Sequence, residues 1–376
     1  MLICAALCNG ETSIIRGITP SEDVLATIDC LRALGVEIEY SHDEAKVCGI
    51  DFAKAIPIGE LNCRESGSTL RFMIPIALLS GRKVCFSGSG RLFDRPLSVY
   101  EDLGFTFERD PNHLTAMGGL RVGEYKVPGD VSSQFISGLI FALSTLEGDS
   151  RIDITNKIES KSYIDLTISA AGNFGIMAEW ISNSTILVHG GRTTHGGDFT
   201  VEGDWSGAAF ILALNHLGGN VEVNGLNEAS LQSDRACEVY FEMLDEEFCE
   251  INIEDCPDLG PILFTLAAAK HGARFIGTRR LKIKESDRAE AMRLELSKFG
   301  AELLIEDNCV TVKKAPLHSP TEILCGHKDH RVVMSIAVLS TIYGGTIEGC
   351  EAVTKSYPEF FNDLAKLEIN CREILL

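Results

Sequence analysis

One pattern of apolar and amphipathic segments occurs six times along this chain, and the repetition limits the fold more than any other feature. An apolar helical stretch ends at a Gly, and a short β-rich run and a Gly or Asn turn follow. A polar helix start then opens an amphipathic helix. The apolar stretches are MLICAALC from Met1, STLRFMIPIALL from Ser68, SSQFISGLIFAL from Ser132, SGAAFILAL from Ser206, LGPILFTLAAA from Leu259 and HRVVMSIAVLS from His330. The amphipathic helices begin near Pro20, Pro96, Ser162, Ser233, Ser286 and Pro358.

The first amphipathic helix illustrates the local chemistry. Thr19 is placed to cap it, Pro20 suits the first helical position, Glu22 completes a capping box, and Gly35 follows the end. Val24, Ile28 and Leu31 share one face, and Val36-Glu37-Ile38-Glu39-Tyr40 alternates as a half-buried strand. Each repeat therefore reads as βαβαββ, with one helix apolar all round and so buried on every side. The 376 residues exceed one ordinary core. Repeats at intervals of roughly seventy residues are longer than the roughly 20 to 50 typical of solenoids. The expectation is an α/β protein of two domains, 1–201 and 202–376, with three repeats each, internal pseudo-threefold symmetry, and a boundary near Val201 where VEGDWSG opens the fourth repeat.

Composition narrows the function. With 45% hydrophobic and 23% charged residues, and no apolar run of bilayer length, the chain reads as a globular, non-membrane protein. MLICAALCNG lacks a basic leader, which points to the cytoplasm. Thirteen cysteines with no CxxC pair fit reduced thiols and no structural zinc. A formal charge of −20 argues against nucleic acid, so an anionic ligand must find a local cationic pocket.

The apolar helices open on small or polar turns: Glu65-Ser66-Gly67-Ser68-Thr69, Gly129-Asp130-Val131-Ser132-Ser133-Gln134, Glu202-Gly203-Asp204-Trp205-Ser206, Cys256-Pro257-Asp258 and Lys328-Asp329-His330-Arg331. Taken singly, each is an N-cap. Taken together, their free N–H groups and dipole ends suit anions. Lys284-Glu285-Ser286-Asp287-Arg288 sets two cations at a helix start, where the dipole disfavours them. Arg71, Arg95, Arg331 and Lys355 add forks and point charges beside further starts and turns.

ESGSTLRF, DRPL, GDVSSQF, ESKSYID, VEGD, KESDR, DHR and TKSYP, in that order from Glu65 to Pro358, closely resemble the signature blocks of the 5-enolpyruvylshikimate-3-phosphate synthase family. The resemblance covers nearly the whole chain and implies the enolpyruvyl transferase fold, two domains closing on a cleft. It implies that Ser132, Ser133 and Ser160 hold the phosphate of shikimate 3-phosphate, with Gln134, Asp258 and Lys284 on its ring and hydroxyls. Gly67, Arg95, Gln134, Arg288, Arg331 and Lys355 match the phosphoenolpyruvate site. Tyr163 fits that pocket or the core equally, and His330 fits a satisfied core histidine as well as a ligand neighbour. The implied reaction joins the enolpyruvyl group to the 5-hydroxyl and releases phosphate. Asp258 is the candidate base and Glu285 the candidate acid, with Lys284 beside them. Neither cofactor nor metal is implied, and a monomer is expected.

A related transferase of the same fold uses UDP-N-acetylglucosamine and carries a reactive cysteine on a Pro-Gly-Gly-Cys loop. SGSGRLFDRPL fills that region here without a cysteine. The competing reading from another class is a catalytically impaired homologue serving as a binding protein. The resemblance also implies a Ser-Lys-Ser motif and an arginine ahead of the first repeat. This sequence opens past them, so the expectation is an incomplete first repeat, lacking an edge strand, and little or no turnover until an upstream extension restores it.

Overall fold

The computed structural model describes residues 1–372. The chain divides into two compact units, Met1–Val201 and Glu202–Leu376.

In the first unit the apolar stretches form α1 (Leu2–Leu7), α3 (Gly67–Ala77) and α5 (Ser133–Leu143). Every residue of α5 except Gln134 is buried. Helix α3 packs against α5 at Gly138, where a Cβ would stand 2.7 Å from the Arg71 carbonyl, so only glycine lets the two backbones approach so closely. Helices α2 (Glu22–Ala33), α4 (Ser98–Asp102) and α6 (Lys161–Gly172) bury one face and expose the other.

Three four-stranded sheets complete this unit. The first joins β1 (Thr12–Arg16), β2 (Glu37–Ser41), β3 (Glu44–Cys48) and the late strand β12 (Asp198–Thr200) in the order β12-β1-β3-β2. The second contains β4 (Leu61–Asn62), β5 (Val84–Ser87), β6 (Thr106–Arg109) and β7 (His113–Met117) in the order β4-β5-β7-β6. The third contains β8 (Glu124–Pro128), β9 (Ser150–Thr155), β10 (Ala178–Ser182) and β11 (Thr185–Val188) in the order β8-β9-β11-β10. Each sheet has one parallel pair at an edge and antiparallel pairs beyond it. The edge strand expected to be lacking in the first repeat is supplied here by β12, which runs parallel to β1 with Ile14 opposite Asp198. Its backbone groups thus find partners from the other end of the unit.

In the second unit the apolar helices are α7 (Trp205–Leu212), α9 (Gly260–Ala269) and α11 (His330–Tyr343). Their amphipathic partners are α8 (Cys237–Glu246), α10 (Arg288–Ser297) and α12 (Phe360–Lys366). One full sheet, β13-β14-β16-β15, joins β13 (Cys249–Asn252), β14 (Ala273–Ile276), β15 (Glu302–Glu306) and β16 (Cys309–Lys313). Strands β17 (Leu324–Cys325) and β18 (Ile347–Glu348) form a short parallel pair.

Two local expectations need correction. The cap of α2 is Ser21, whose Oγ accepts from Val24 N at 3.4 Å, so Thr19 and Pro20 precede the cap and Glu22 opens the helix. The β-rich run Val221-Glu222-Val223 in the fourth repeat forms no strand. Its backbone is answered by a side chain instead: Val221 N donates to Asn215 Oδ1 at 2.6 Å, and Asn215 Nδ2 donates to the Val221 carbonyl at 2.8 Å. The βαβαββ repeat is therefore regular in the first unit and abbreviated in the fourth and sixth copies.

Candidate active site

The second unit gathers its charges at the starts of three helices. Asp258 sits in the 3₁₀ turn Pro257–Leu259 that runs into α9. Asp287 caps α10 by accepting from Glu290 N, which makes Arg288 the first helical residue. Asp329 caps α11, its Oδ1 accepting from Arg331 N at 3.0 Å.

Arg288 joins these starts. Its side chain is 1% exposed. Nη1 donates to Asp258 Oδ1 at 2.6 Å, Nη2 to Glu285 Oε2 at 2.6 Å, and Nε to Asp329 Oδ2 at 2.9 Å. A buried guanidinium at a helix start opposes both desolvation and the dipole, and three carboxylates offset the two costs. Ser286 Oγ adds a bond to Asp329 Oδ2 at 3.0 Å.

Asp258 is shared further. Arg331 Nη2 donates to its Oδ2 at 3.1 Å, and Lys284 Nζ lies 3.2 Å from its Oδ1. Burial would push this carboxyl up, but Arg331, Lys284 and Arg288 together outweigh burial and hold it well below the usual carboxylate range. Burial also lowers the Lys284 ammonium from its ordinary value, against the attraction of Asp258 and with help from Arg288. Burial and the adjacent Arg331 push His330 down to about 4, so its ring is neutral at pH 7. That ring is 5% exposed, and its Nδ1 has no hydrogen-bond partner among the described residues, so the histidine is buried without being satisfied there. Lys355 ends the 3₁₀ turn Cys350–Lys355, and its Nζ donates to the Lys328 carbonyl at 2.7 Å.

The first unit builds a different set. Ser66 caps α3 by accepting from Thr69 N, and Gly67 opens the helix. A Cβ on Gly67 would fall 2.3 Å from Arg95 Nη1 and 3.1 Å from Arg71 Nη1, so both guanidinium groups lie against that bare backbone. Arg71, one turn further along α3, donates from Nη1 to Gln134 Oε1 at 2.7 Å and lies over the Phe135 ring at 5.1 Å. Ser132 caps α5 by accepting from Gln134 N, with Ser133 buried beside it. Ser160 opens α6 in a left-handed conformation, φ 55°, and is 1% exposed. Helix α6 packs on α5, where Ser137 and Thr167 hydroxyls meet at 2.7 Å. Tyr163 is half-buried on the first turn of α6.

Within each unit the candidates thus fall at helix starts. Gly67, Arg95, Arg71 and Gln134 meet in the first, and Asp258, Lys284, Glu285, Arg288 and Arg331 in the second. Against this geometry, the family model for EPSP synthase (3-phosphoshikimate 1-carboxyvinyltransferase) matches residues 1–364. The chain belongs to the EPSP synthase family.

Curated relatives agree with that membership. A 3-phosphoshikimate 1-carboxyvinyltransferase of Clostridium kluyveri is 38% identical over 395 residues, covering 97% of this chain and 91% of the relative. One from Clostridium botulinum is 37% identical, covering 99% and 93%. Among solved structures, an EPSP synthase of Acinetobacter baumannii superposes with a TM-score of 0.74 at 19% identity, over 97% of this chain and 92% of that one. The enolpyruvyl transferase NikO of Streptomyces tendae gives 0.72 at 14% identity, over 98% and 92%. These likenesses carry the enolpyruvyl transferase fold.

Two residues that contact the candidate residues were not assigned roles from the sequence. Asp329, quoted from the sequence only within a helix-opening turn and the DHR block, is fully buried and takes the Nε of Arg288. Arg71 was counted as a cation, and its partner Gln134 is visible only in the fold. A signal existed for the first: a buried arginine needs carboxylates, and Asp329 adjoins an Arg in a helix-start motif. Among the described residues no group of three His, Cys, Asp or Glu side chains is arranged to hold a metal, and no helix is long and apolar enough to cross a membrane.

Proposed function

We propose that this chain transfers the enolpyruvyl group of phosphoenolpyruvate to the 5-hydroxyl of shikimate 3-phosphate and releases phosphate. The observation that carries the reading is the sharing of Asp258 by Arg288, Arg331 and Lys284 in a member of this family. In this reading Ser132, Ser133 and Ser160 take the phosphate of shikimate 3-phosphate, and Gln134, Asp258 and Lys284 its ring and hydroxyls. Gly67, Arg95, Gln134, Arg288, Arg331 and Lys355 take phosphoenolpyruvate. The protein works as a monomer in the cytoplasm and uses no cofactor.

Addition comes first. Glu285 rests as a carboxylate partner of Arg288, so it acts as the acid only after taking up a proton as the anionic substrates compete for that arginine. That proton forms a C–H bond at the methylene carbon, the central carbon becomes electrophilic, and the 5-oxygen bonds to it as its own proton passes to Asp258. Loss of a methyl proton then restores the double bond while the C–O bond to phosphate breaks. Asp258 held by three cations is a weak base at rest, because a general base works best with a pKa near the working pH. Anionic substrates draw Arg331 and Lys284 toward themselves, and Asp258 gains proton affinity as they do. The lowered Lys284 pairs with it at the hydroxyl, exchanging protons more readily than an ordinary lysine.

The test is to mix the purified protein with both substrates, follow phosphate release, and weigh the product. Release that requires both substrates, with a product equal in mass to their sum less phosphate, is expected. Lys284→Met should reduce the rate by about two orders of magnitude or more. Phosphate release from phosphoenolpyruvate alone, or no product of that mass from either this chain or its upstream-extended form, would overturn the reading.

A further inference from the structure

Glu295 lies two turns beyond Arg288 on the same face of α10, seven residues on in a helix of 3.6 per turn. It is 2% exposed, and no reacting group touches it. Its carboxylate is nonetheless saturated. Oε2 accepts from Cys325 N at 2.8 Å and from Lys298 Nζ at 2.8 Å, and Oε1 meets His327 Nε2 at 2.8 Å. Lys298 also donates to the Ile323 carbonyl at 2.9 Å. Segment Ile323–His327 is therefore bound to α10 at three points.

That segment is bent in an unusual way. His327 and Lys328 are consecutive non-glycine residues at φ 50° and 56°, a conformation that persists in such residues only where the surroundings impose it. The bend turns the Lys328 carbonyl toward Lys355 Nζ. It delivers Asp329 to Arg288 Nε, and through the cap of α11 it sets Arg331 against Asp258. One face of α10 thus grips both ends of the bend, Glu295 at its start and Arg288 at its finish.

We propose that Glu295 is a positioning residue: by holding Ile323–His327 on α10 it fixes the left-handed bend at His327-Lys328 and so aims Lys355 and Arg331 at phosphoenolpyruvate. The inference rests on the proposed function for its substrate and on the bend alone for its geometry. Loss of this hold weakens the cations of the phosphoenolpyruvate side and leaves the serine set of the other substrate untouched.

Two variants test it. Glu295→Gln keeps the shape and removes the charge, and should raise KM for phosphoenolpyruvate about tenfold, the scale of one charge-assisted hydrogen bond, with KM for shikimate 3-phosphate within about twofold. His327→Gly removes one contact of Glu295 and relieves the left-handed residue. It should raise the same KM while Tm stays level or rises, a pairing that a purely structural role does not produce. Hydrogen exchange by mass spectrometry should quicken over residues 323–331 and near Lys355 in both variants. Equal rises in both KM values, a rise in KM only in step with a fall in Tm, or unchanged exchange in both variants would overturn the proposal. Absence of turnover in both the unmodified protein and its upstream-extended form would sink the proposed function instead, and the exchange comparison would still decide whether Glu295 holds the bend.

Discussion

Both units place candidate residues at helix starts, yet fill those positions with different chemistry. In the first unit, hydroxyls and an amide dominate: Ser132 caps α5, Ser133 follows it, and Gln134 accepts from Arg71. In the second, carboxylates meet cations, with Arg288 alone taking Asp258, Glu285 and Asp329. A serine hydroxyl that accepts from a helix N–H still has its own proton to donate to an anion. A compensated ion cluster is held rigid until a charged ligand competes for its cations, and that competition is what changes proton affinities. Under the proposed function, the first set would hold a substrate and the second would move protons.

The largest effect should come from removing one carboxylate of the cluster. Asp329→Ala leaves buried Arg288 short of a partner, at about 3 to 5 kcal/mol, and removes the cap of α11, at about 1 kcal/mol more. Trp180 lies in the first unit and Trp205 in the second, so Trp180→Phe leaves fluorescence that reports the second alone. Urea unfolding of that variant should shift strongly with Asp329→Ala. Gln134→Ala, read with Trp205→Phe, removes one bond to a charged group and should cost only about 1.5 to 3 kcal/mol. Equal shifts in the two units would break the comparison.

Next in size is a pH effect confined to the second unit. His330 titrates at about 4 when folded, against 6.5 as an ordinary histidine. Between those values the unfolded chain binds a proton that the folded one refuses, so stability is full above pH 6.5 and falls as pH drops toward 4. The loss is on the order of 3 kcal/mol. Asp258 and Asp329 are lowered, so their contribution is present above their ordinary value of 3.8 and is lost only as pH falls further below it. His330→Asn should flatten the Trp205 unfolding midpoint between pH 6.5 and 4, and an unchanged slope would refute the assignment to His330.

The smallest effect concerns Gly67. A methyl there collides with the ends of flexible arginine side chains, 2.3 Å from Arg95 Nη1, and those ends are able to move aside. Gly67→Ala should keep the fold, with Tm within a few degrees, while KM for phosphoenolpyruvate rises about tenfold as Arg95 is displaced. A large fall in Tm would mean that Arg95 supports the first unit rather than a ligand.

What the sequence determined by itself was periodic and local. Apolar stretches at regular spacing fixed the buried helices, and small or acidic residues at helix starts marked the places where Asp258, Arg288 and Arg331 were singled out. Such signals survive in one dimension because a helix face and a cap are made by residues within a turn or two of each other. Pairing was decided only in three dimensions. Arg288 reaches Asp329 across 41 positions, Arg71 reaches Gln134 across 63, and Glu295 grips Cys325 across 30. The fourth repeat carried the pattern of a strand at Val221, but the side chain of Asn215 answered its backbone, and no local rule separates that outcome from a sheet. A buried charge is settled by whichever partners the fold delivers, because the cost of leaving it alone exceeds any preference written into its neighbours along the chain.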